Sequence, residues 1–376
     1  LSDYGLRSTL VLPELIVYGT GSIDELGEHA KKFGNRGVLI YGGKSLKKSG
    51  NYAKIIKILK KSGSKHIEIS GISHDPDDET INTITERVLK MNPDFIIGVG
   101  GGSVIDTAKA ASIIATNGGE VKDYWAGKIF LKPSIPYIAV PTTSGTGAEV
   151  TKNAVISGKG QFFKKSIRSE YMIPNIALID PSLTLSAPQE VTAATGLDAL
   201  IQNLEAYTSK SAGPITDTLA YKGIEISGKY LCRAVENPDD LQAREGLSLS
   251  SLYGGITLMN AGLGLAHALS HPLGIRFGIP HGKACALTMA KVMEYNYSAR
   301  KEKYAQVGIL LAGIKDGVQA FNNLVDSLGI SIKLSDYGVK EEDIPTIVAD
   351  SKGGSRRFNP IDHSDEVVAK IVRELL

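Results

Sequence analysis

Short apolar runs alternate with amphipathic stretches through the first half of the chain, at the spacing of βαβ units. No other feature restricts the fold as much. Strand-like runs fall at residues 10–18, 37–41, 66–70, 94–99 and 136–140, with helical patterns at 22–32, 46–61, 78–90 and 103–116 between them. Gly37-Val38-Leu39-Ile40-Tyr41 is an unbroken apolar run, the pattern of a strand covered on both faces. The alternation predicts an α/β domain with an open parallel sheet. Beyond Leu178-Ile179-Asp180-Pro181 the strand signal fades, and from Pro188 helical patterns dominate. The expected organisation is an α/β domain over residues 1–185 and an all-helical domain over 186–376, and 376 residues are enough for two cores.

Composition narrows the partners. A net charge of +2 is too small over this length for a nucleic-acid-binding or polybasic membrane surface. No apolar run reaches the length of a membrane span. The start, Leu1-Ser2-Asp3-Tyr4, lacks the charged-then-apolar layout of a signal peptide. Cys232 and Cys285 are the only cysteines and form no CxxC motif, which fits a reducing, cytoplasmic setting.

Three loops rich in glycine or hydroxyls follow strands of the first half. Gly42-Gly43-Lys44-Ser45-Leu46-Lys47-Lys48 resembles the end of a P-loop, but Val38 stands where that motif requires its first glycine. What remains is a strand-end loop without an acid. In dinucleotide folds an acid here binds the ribose of NAD, whereas small and basic residues such as Gly43, Ser45 and Lys48 accommodate the 2′-phosphate of NADP. A solvated lysine turn is the alternative. Gly100-Gly101-Gly102-Ser103 joins a strand to a helix, where bare backbone and helix N–H groups accept a pyrophosphate. Asp106, a turn later, either complements the helix dipole or reaches the nicotinamide end. Thr142-Thr143-Ser144-Gly145-Thr146-Gly147 offers hydroxyls to phosphate or ribose oxygens.

The second half carries His267, His271 and His281 within fifteen residues. The first two, four apart, share one helix face, and Pro272 and Gly274 are expected to end that helix. Clustered neutral imidazoles are good ligands for zinc, iron or copper. Asp198 lies among apolar neighbours, with Gln202 on the same helix face. A buried carboxylate there calls for a cation, a lysine or a cap.

These motifs, in this order along essentially the whole chain, resemble the iron-containing (group III) alcohol dehydrogenase family, most nearly its NADPH-preferring butanol dehydrogenase and aldehyde reductase branch. The resemblance implies a dinucleotide-binding α/β domain followed by a helical domain, the dehydroquinate synthase-like architecture. It implies metal ligation by Asp198, position 202, His267 and His281, with Fe²⁺ or Zn²⁺ as the ion, and proton transfer by His271. Gly101, Gly102 and Ser103 would hold the pyrophosphate, Thr142, Thr143 and Thr146 would flank the adenosine half, and Asp106, Asn153, Lys164 and Leu183 would complete the NADP(H) site, with NAD as the alternative cofactor. The family usually has histidine where this chain has Gln202, a weaker ligand or a partner for a metal-bound water. The expected reaction is reversible hydride transfer between NADP(H) and a small primary alcohol–aldehyde pair, in a homodimer or higher homo-oligomer. Leu258, Met259 and Asn260 are expected near the substrate. The competing readings are a dehydroquinate-synthase-like lyase, a metal-free member acting on a specialised hydroxy or oxo substrate, and a non-catalytic nucleotide-binding descendant.

Overall fold

The computed structural model describes residues 9–72, 75–160, 163–330 and 333–376; the Leu1–Tyr4 start lies outside them. The chain forms two compact units. One comprises Leu12–Thr143 and Ala148–Ala187, and the other comprises residues 9–11, Ser144–Gly147 and Pro188–Leu376. The grouping of Ser144–Gly147 with the helices has no signal in the sequence.

The first unit is built on strands β1 (Leu15–Tyr18), β2 (Arg36–Tyr41), β3 (Lys65–Ile69), β4 (Phe95–Gly100), β5 (Tyr137–Pro141) and β8 (Ile176–Ile179), all parallel, in the order β1-β8-β5-β4-β2-β3. Helices α1 (Leu26–Lys31), α2 (Lys44–Lys48), α3 (Asn51–Ser62), α4 (Asp78–Met91), α5 (Gly102–Asn117) and α6 (Val121–Trp125) connect them. Alternate residues of β2 feed opposite cores. Leu39 and Tyr41 pack in one cluster with Ile97, Val140 and the Ile55 and Leu59 side chains of α3. Val38 and Ile40 join Ile96, Ala139, Ile84 of α4 and Ile105 of α5. Burial on both faces, at about 1.5–3 kcal/mol for each large apolar side chain, explains the unbroken apolar run. The strand order reverses between β2 and β4, the place where open α/β sheets leave a crevice for ligands at their carboxyl ends.

Three local expectations change. The strand expected over residues 10–18 is ordered as β1 only from Leu15, because Pro13 has no N–H for a ladder. The backbone of Val11 pairs instead with the side-chain amide of Asn260. The helix expected over 46–61 is split into α2 and α3 at Gly50, whose φ of 80° is the left-handed region. An antiparallel hairpin, β6 (Asn153–Ser157) with β7 (Lys164–Arg168), was not foreseen.

The second unit comprises α7 (Gln189–Thr208), α8 (Pro214–Glu236), α9 (Leu241–Ala261), α10 (Leu265–Phe277), α11 (His281–Ala312, kinked at Arg300), α12 (Gly317–Ser327), α13 (Ile344–Asp350) and α14 (Asp365–Arg373) around one core. Pro272 does not end α10, as the sequence led us to expect. The helix continues to Phe277 and stops at Gly278 (φ 67°). An internal proline costs about 3 kcal/mol, which the burial of Leu265, Ala266, Ala268, Leu269 and Leu273 outweighs. Among the described residues no helix is long and apolar enough to cross a membrane.

Candidate functional site

Asp198 lies midway along α7, 2 % exposed, between Leu197 and Ala199. The start of α11 reaches it because of Gly282. A Cβ there would lie 1.9 Å from the Ala194 carbonyl oxygen, so a side chain would push α11 off α7. His281 and Cys285, four apart on α11, then face Asp198 together. His267, in the first turn of α10, supplies a third face. Its Nε2 lies 3.2 Å from Asp198 Oδ1, and His281 Nε2 lies 3.6 Å from the same oxygen. Cys285 Sγ is 4.0 Å from His281 Nε2. One donor atom from each of Asp198, His267, His281 and Cys285 falls within 4.8 Å of the others.

Hydrogen bonds fix the tautomers. Glu205 lies seven residues beyond Asp198 on α7, and so on the same face. Its carboxylate accepts from the backbone N–H of Gly264 and of Ala266, each at 2.8 Å, and from His267 Nδ1–H at 2.6 Å. Ser270 donates its hydroxyl proton to the His267 carbonyl at 2.8 Å, leaving its oxygen to accept from His281 Nδ1–H at 3.2 Å. Both imidazoles therefore turn an Nε2 lone pair toward Asp198 and Cys285, the orientation in which histidines ligate metals.

The electrostatics favour a cation. Burial works against ionised Asp198, yet His281, His267 and the Gln202 amide hold its pKa below the usual carboxylate value. Burial likewise opposes the Cys285 thiolate, but His267 and His281 outweigh it and bring the thiol to about 7. Burial would lower His267, but Cys285, Glu205 and Asp198 carry it well above the usual imidazole value. His281 is raised by Cys285 and Asp198 against burial and the repulsion of His267. Each group favours the form that either carries positive charge or binds it. The separations of 3.2, 3.6 and 4.0 Å are close to the roughly 3.3–3.6 Å edges of a tetrahedron with zinc-length bonds. A divalent metal fits this donor set.

His271 stands beside the cluster. It is half-buried, and its ring centroid is 5.8 Å from that of His281, itself 5.5 Å from His267. Gln202 is turned differently from a ligand. Its Oε1 is buried, without a hydrogen-bond partner among the described residues, and lies 2.8 Å from where a Cβ on Gly254 would sit. Gln202 also helps, less than the two histidines, to hold the Asp198 carboxyl below its usual pKa. Asn260, expected near the substrate, uses its amide on Val11.

In the first unit, the loops after β2, β4 and β5 end adjacent strands on either side of the order reversal. Gly43, Ser45 and Lys48 are exposed, Gly43 preceding α2. Gly101 caps α5, and a Cβ on it would meet Thr143 Oγ1 at 3.3 Å, so the second and third loops touch. Thr142 N–H donates to the Gly100 carbonyl at 2.9 Å. Gly102 and Ser103 open α5, and Ser103 Oγ accepts from the Asp75 N–H at 3.3 Å. Lys164 pairs with Asp75 at 2.6 Å. Thr146 is exposed in the segment grouped with the helices. Asp106 is tied to the hairpin, accepting from Val155 N–H at 2.9 Å and from Lys109 Nζ at 3.4 Å. Lys109 also donates to the Asn153 carbonyl at 2.8 Å. Leu183, 1 % exposed, belongs to the core of this unit.

Cys285, Glu205 and Ser270 were missed from sequence. The four-residue step from His281 to Cys285 and the seven-residue step from Asp198 to Glu205 were the available signals.

Residues 13–181 match the family described as iron-containing alcohol dehydrogenase, and residues 192–376 match the Fe-containing alcohol dehydrogenase family, C-terminal. The NAD-dependent methanol dehydrogenase of Bacillus methanolicus is 31 % identical, over 97 % of this chain and 99 % of that protein. The 1,3-propanediol dehydrogenase of Citrobacter freundii is 33 % identical over 97 % of both. The solved alcohol dehydrogenase from Oenococcus oeni superposes with a TM-score of 0.94 at 33 % identity, covering 98 % of this chain and 100 % of that one.

Proposed function

The chain belongs to the iron-containing alcohol dehydrogenase family, oxidoreductases acting on alcohols, and from that premise we propose reversible hydride transfer between NADP(H) and a small primary alcohol–aldehyde pair. The observation that carries the proposal is the convergence of Asp198, His267 and His281, with Glu205 and Ser270 turning both Nε2 atoms toward Asp198. These three residues hold Fe²⁺ or Zn²⁺. When bound, the metal supplies Lewis-acid polarisation of the substrate oxygen, and the nicotinamide supplies or accepts the hydride. Glu205 and Ser270 keep the two imidazoles aimed, and His271, half-buried beside His281, relays the alcohol proton toward solvent.

In the first unit, Gly101, Gly102 and Ser103 hold the pyrophosphate at the N-terminus of α5. Thr142 and Thr143 contact the adenosine half, with Asn153, Lys164, Asp106 and Leu183 around the remainder. The preference for NADP over NAD is supported by the loop carrying Gly43, Ser45 and Lys48, which is exposed and has no carboxylate. Small substrates are supported by relatives named for methanol and 1,3-propanediol. A homodimer or higher homo-oligomer is supported by the resemblance and by the edge strand β1, where Leu15 and Tyr18 are exposed. Two free cysteines support a cytoplasmic setting.

The test is consumption of NADPH and of NADH with butanal and other small aldehydes, by protein loaded with Zn²⁺ or Fe²⁺. Turnover faster with NADPH is expected. No loss of either reduced cofactor with any aldehyde refutes the reading. Replacing His271 by phenylalanine should lower kcat by about 10²–10⁴-fold at unchanged metal content.

A further inference from the structure

Gln202 and Cys285 compete for one role. The resemblance puts a metal ligand at position 202, yet the only ligand atom of Gln202, Oε1, is turned against Gly254. To ligate, the amide would have to turn its oxygen away from Gly254. Cys285 needs no such movement. It is fully buried, engaged in no disulfide, and on the same face of α11 as His281. Its sulfur already lies among the converging donor atoms, 4.0 Å from His281 Nε2.

We infer that Cys285, rather than Gln202, is the fourth protein ligand of this metal centre, and that the resulting carboxylate–imidazole–imidazole–thiolate set selects Zn²⁺ over Fe²⁺. The inference rests on the metal-binding part of the function proposed above and not on its substrate. On binding, the Cys285 S–H bond breaks, the sulfur electron pair forms the bond to the metal, and the proton leaves to solvent; no redox change occurs. Asp198 and the thiolate together neutralise the charge of a divalent ion in a buried site. Soft thiolate favours zinc, whereas an amide oxygen would have made the site harder. Gln202 then lies outside the ligand set, its amide oxygen against Gly254.

Cobalt reports the ligand set directly, because a Co²⁺-bound thiolate gives an intense near-ultraviolet charge-transfer band that imidazole and carboxylate do not. The full chain, stripped of metal with a chelator, is titrated with Co²⁺ and then with Zn²⁺ against a chromophoric competitor. The original chain and Gln202→Ala should both show the thiolate band at one metal per chain. Cys285→Ala and Cys285→Ser, checked for native circular dichroism, should lose the band and bind zinc at least about tenfold more weakly, since even a group that only orients a ligand is typically worth that much. Binding of Co²⁺ without a thiolate band, or Cys285 variants that bind zinc like the original chain, overturns the assignment and leaves the metal centre standing. Failure of the original chain to bind either metal overturns the assignment and the metal centre together.

Discussion

Replacing Glu205 by glutamine keeps the shape of the side chain and changes only its hydrogen-bonding character. The carboxylate now serves three donors, Gly264 N–H and His267 Nδ1–H on Oε2 and Ala266 N–H on Oε1. In Glu205→Gln the better orientation keeps the oxygen on Gly264 and His267, and the NH₂ then confronts the Ala266 N–H. That buried donor goes unsatisfied, at a cost of about 1–3 kcal/mol. The opposite orientation sets the NH₂ against two donors, unless His267 moves its proton to Nε2 and loses the lone pair it offers to a metal. In either orientation the neutral amide polarises the imidazole less than a carboxylate does, so zinc affinity should fall about 10–100-fold, or roughly 1.4–2.8 kcal/mol. Two measurements separate the effects. Urea unfolding of the metal-free protein, followed by helical circular dichroism, reads the unsatisfied donor, and competition with a chromophoric chelator reads zinc affinity. Reduced stability with unchanged zinc affinity would refute the tautomer argument. Unchanged metal-free stability would refute the claim that Glu205 satisfies the first turn of α10.

Burial raises the pKa of Glu149 to about 7, against a pull from Lys109. Between its ordinary pKa near 4.5 and this value the unfolded chain has lost the proton that the folded chain keeps, so stability falls as pH rises through that window and is level above it. The fall is on the order of 3 kcal/mol at 1.36 kcal/mol per pKa unit, and Glu149→Gln should flatten it in urea titrations at pH 5 and 7.5. Gly43 has open space where a side chain would go, so Gly43→Asp should fold normally. Its carboxylate should repel a 2′-phosphate and accept a ribose hydroxyl, moving the kcat/KM preference from NADPH toward NADH; an unchanged ratio argues against the β2 loop as the discriminator. Gly282→Ala would set a methyl group 1.9 Å from the Ala194 carbonyl. Displacement of α11 from α7 should cost about 1–3 kcal/mol in thermal or urea unfolding and also weaken zinc binding, because His281 and Cys285 move with the helix.

Much of the fold was legible because burial on both faces of a parallel sheet leaves a one-dimensional trace. Val38-Leu39-Ile40 shows it, and so do the glycine loops at the ends of β2 and β4. The β6–β7 hairpin left no such trace. Lys164 and Lys165 interrupt its alternation, and what holds it is the contact of Asp106 and Lys109 with its backbone, which is tertiary. Pro272 misled for a related reason, since local helix-breaking chemistry was weighed without the core that α10 covers.

The proposed metal centre shows where residue-type reasoning stops. His267 and His281 drew attention as histidines, and Asp198 as a carboxylate among apolar neighbours. Compared with Cys232, Cys285 forms no CxxC motif; the informative comparison is with His281, one helical turn before it. Glu205 looked like one more acid on a helix; only the approach of α10 buries it and turns it into the acceptor that orients His267. Gln202 drew attention as a departure from the family pattern and was treated as a weakened version of the residue it replaces. Its amide oxygen is turned to Gly254, while a sulfur from another helix stands among the ligand atoms. A centre assembled from three helices can exchange a donor on one helix for a donor on another, provided the new atom lies within bonding reach of the same point. The effect of a substitution in such a site therefore depends on which atoms converge there, and Gln202 alone is no sign that the metal has been lost.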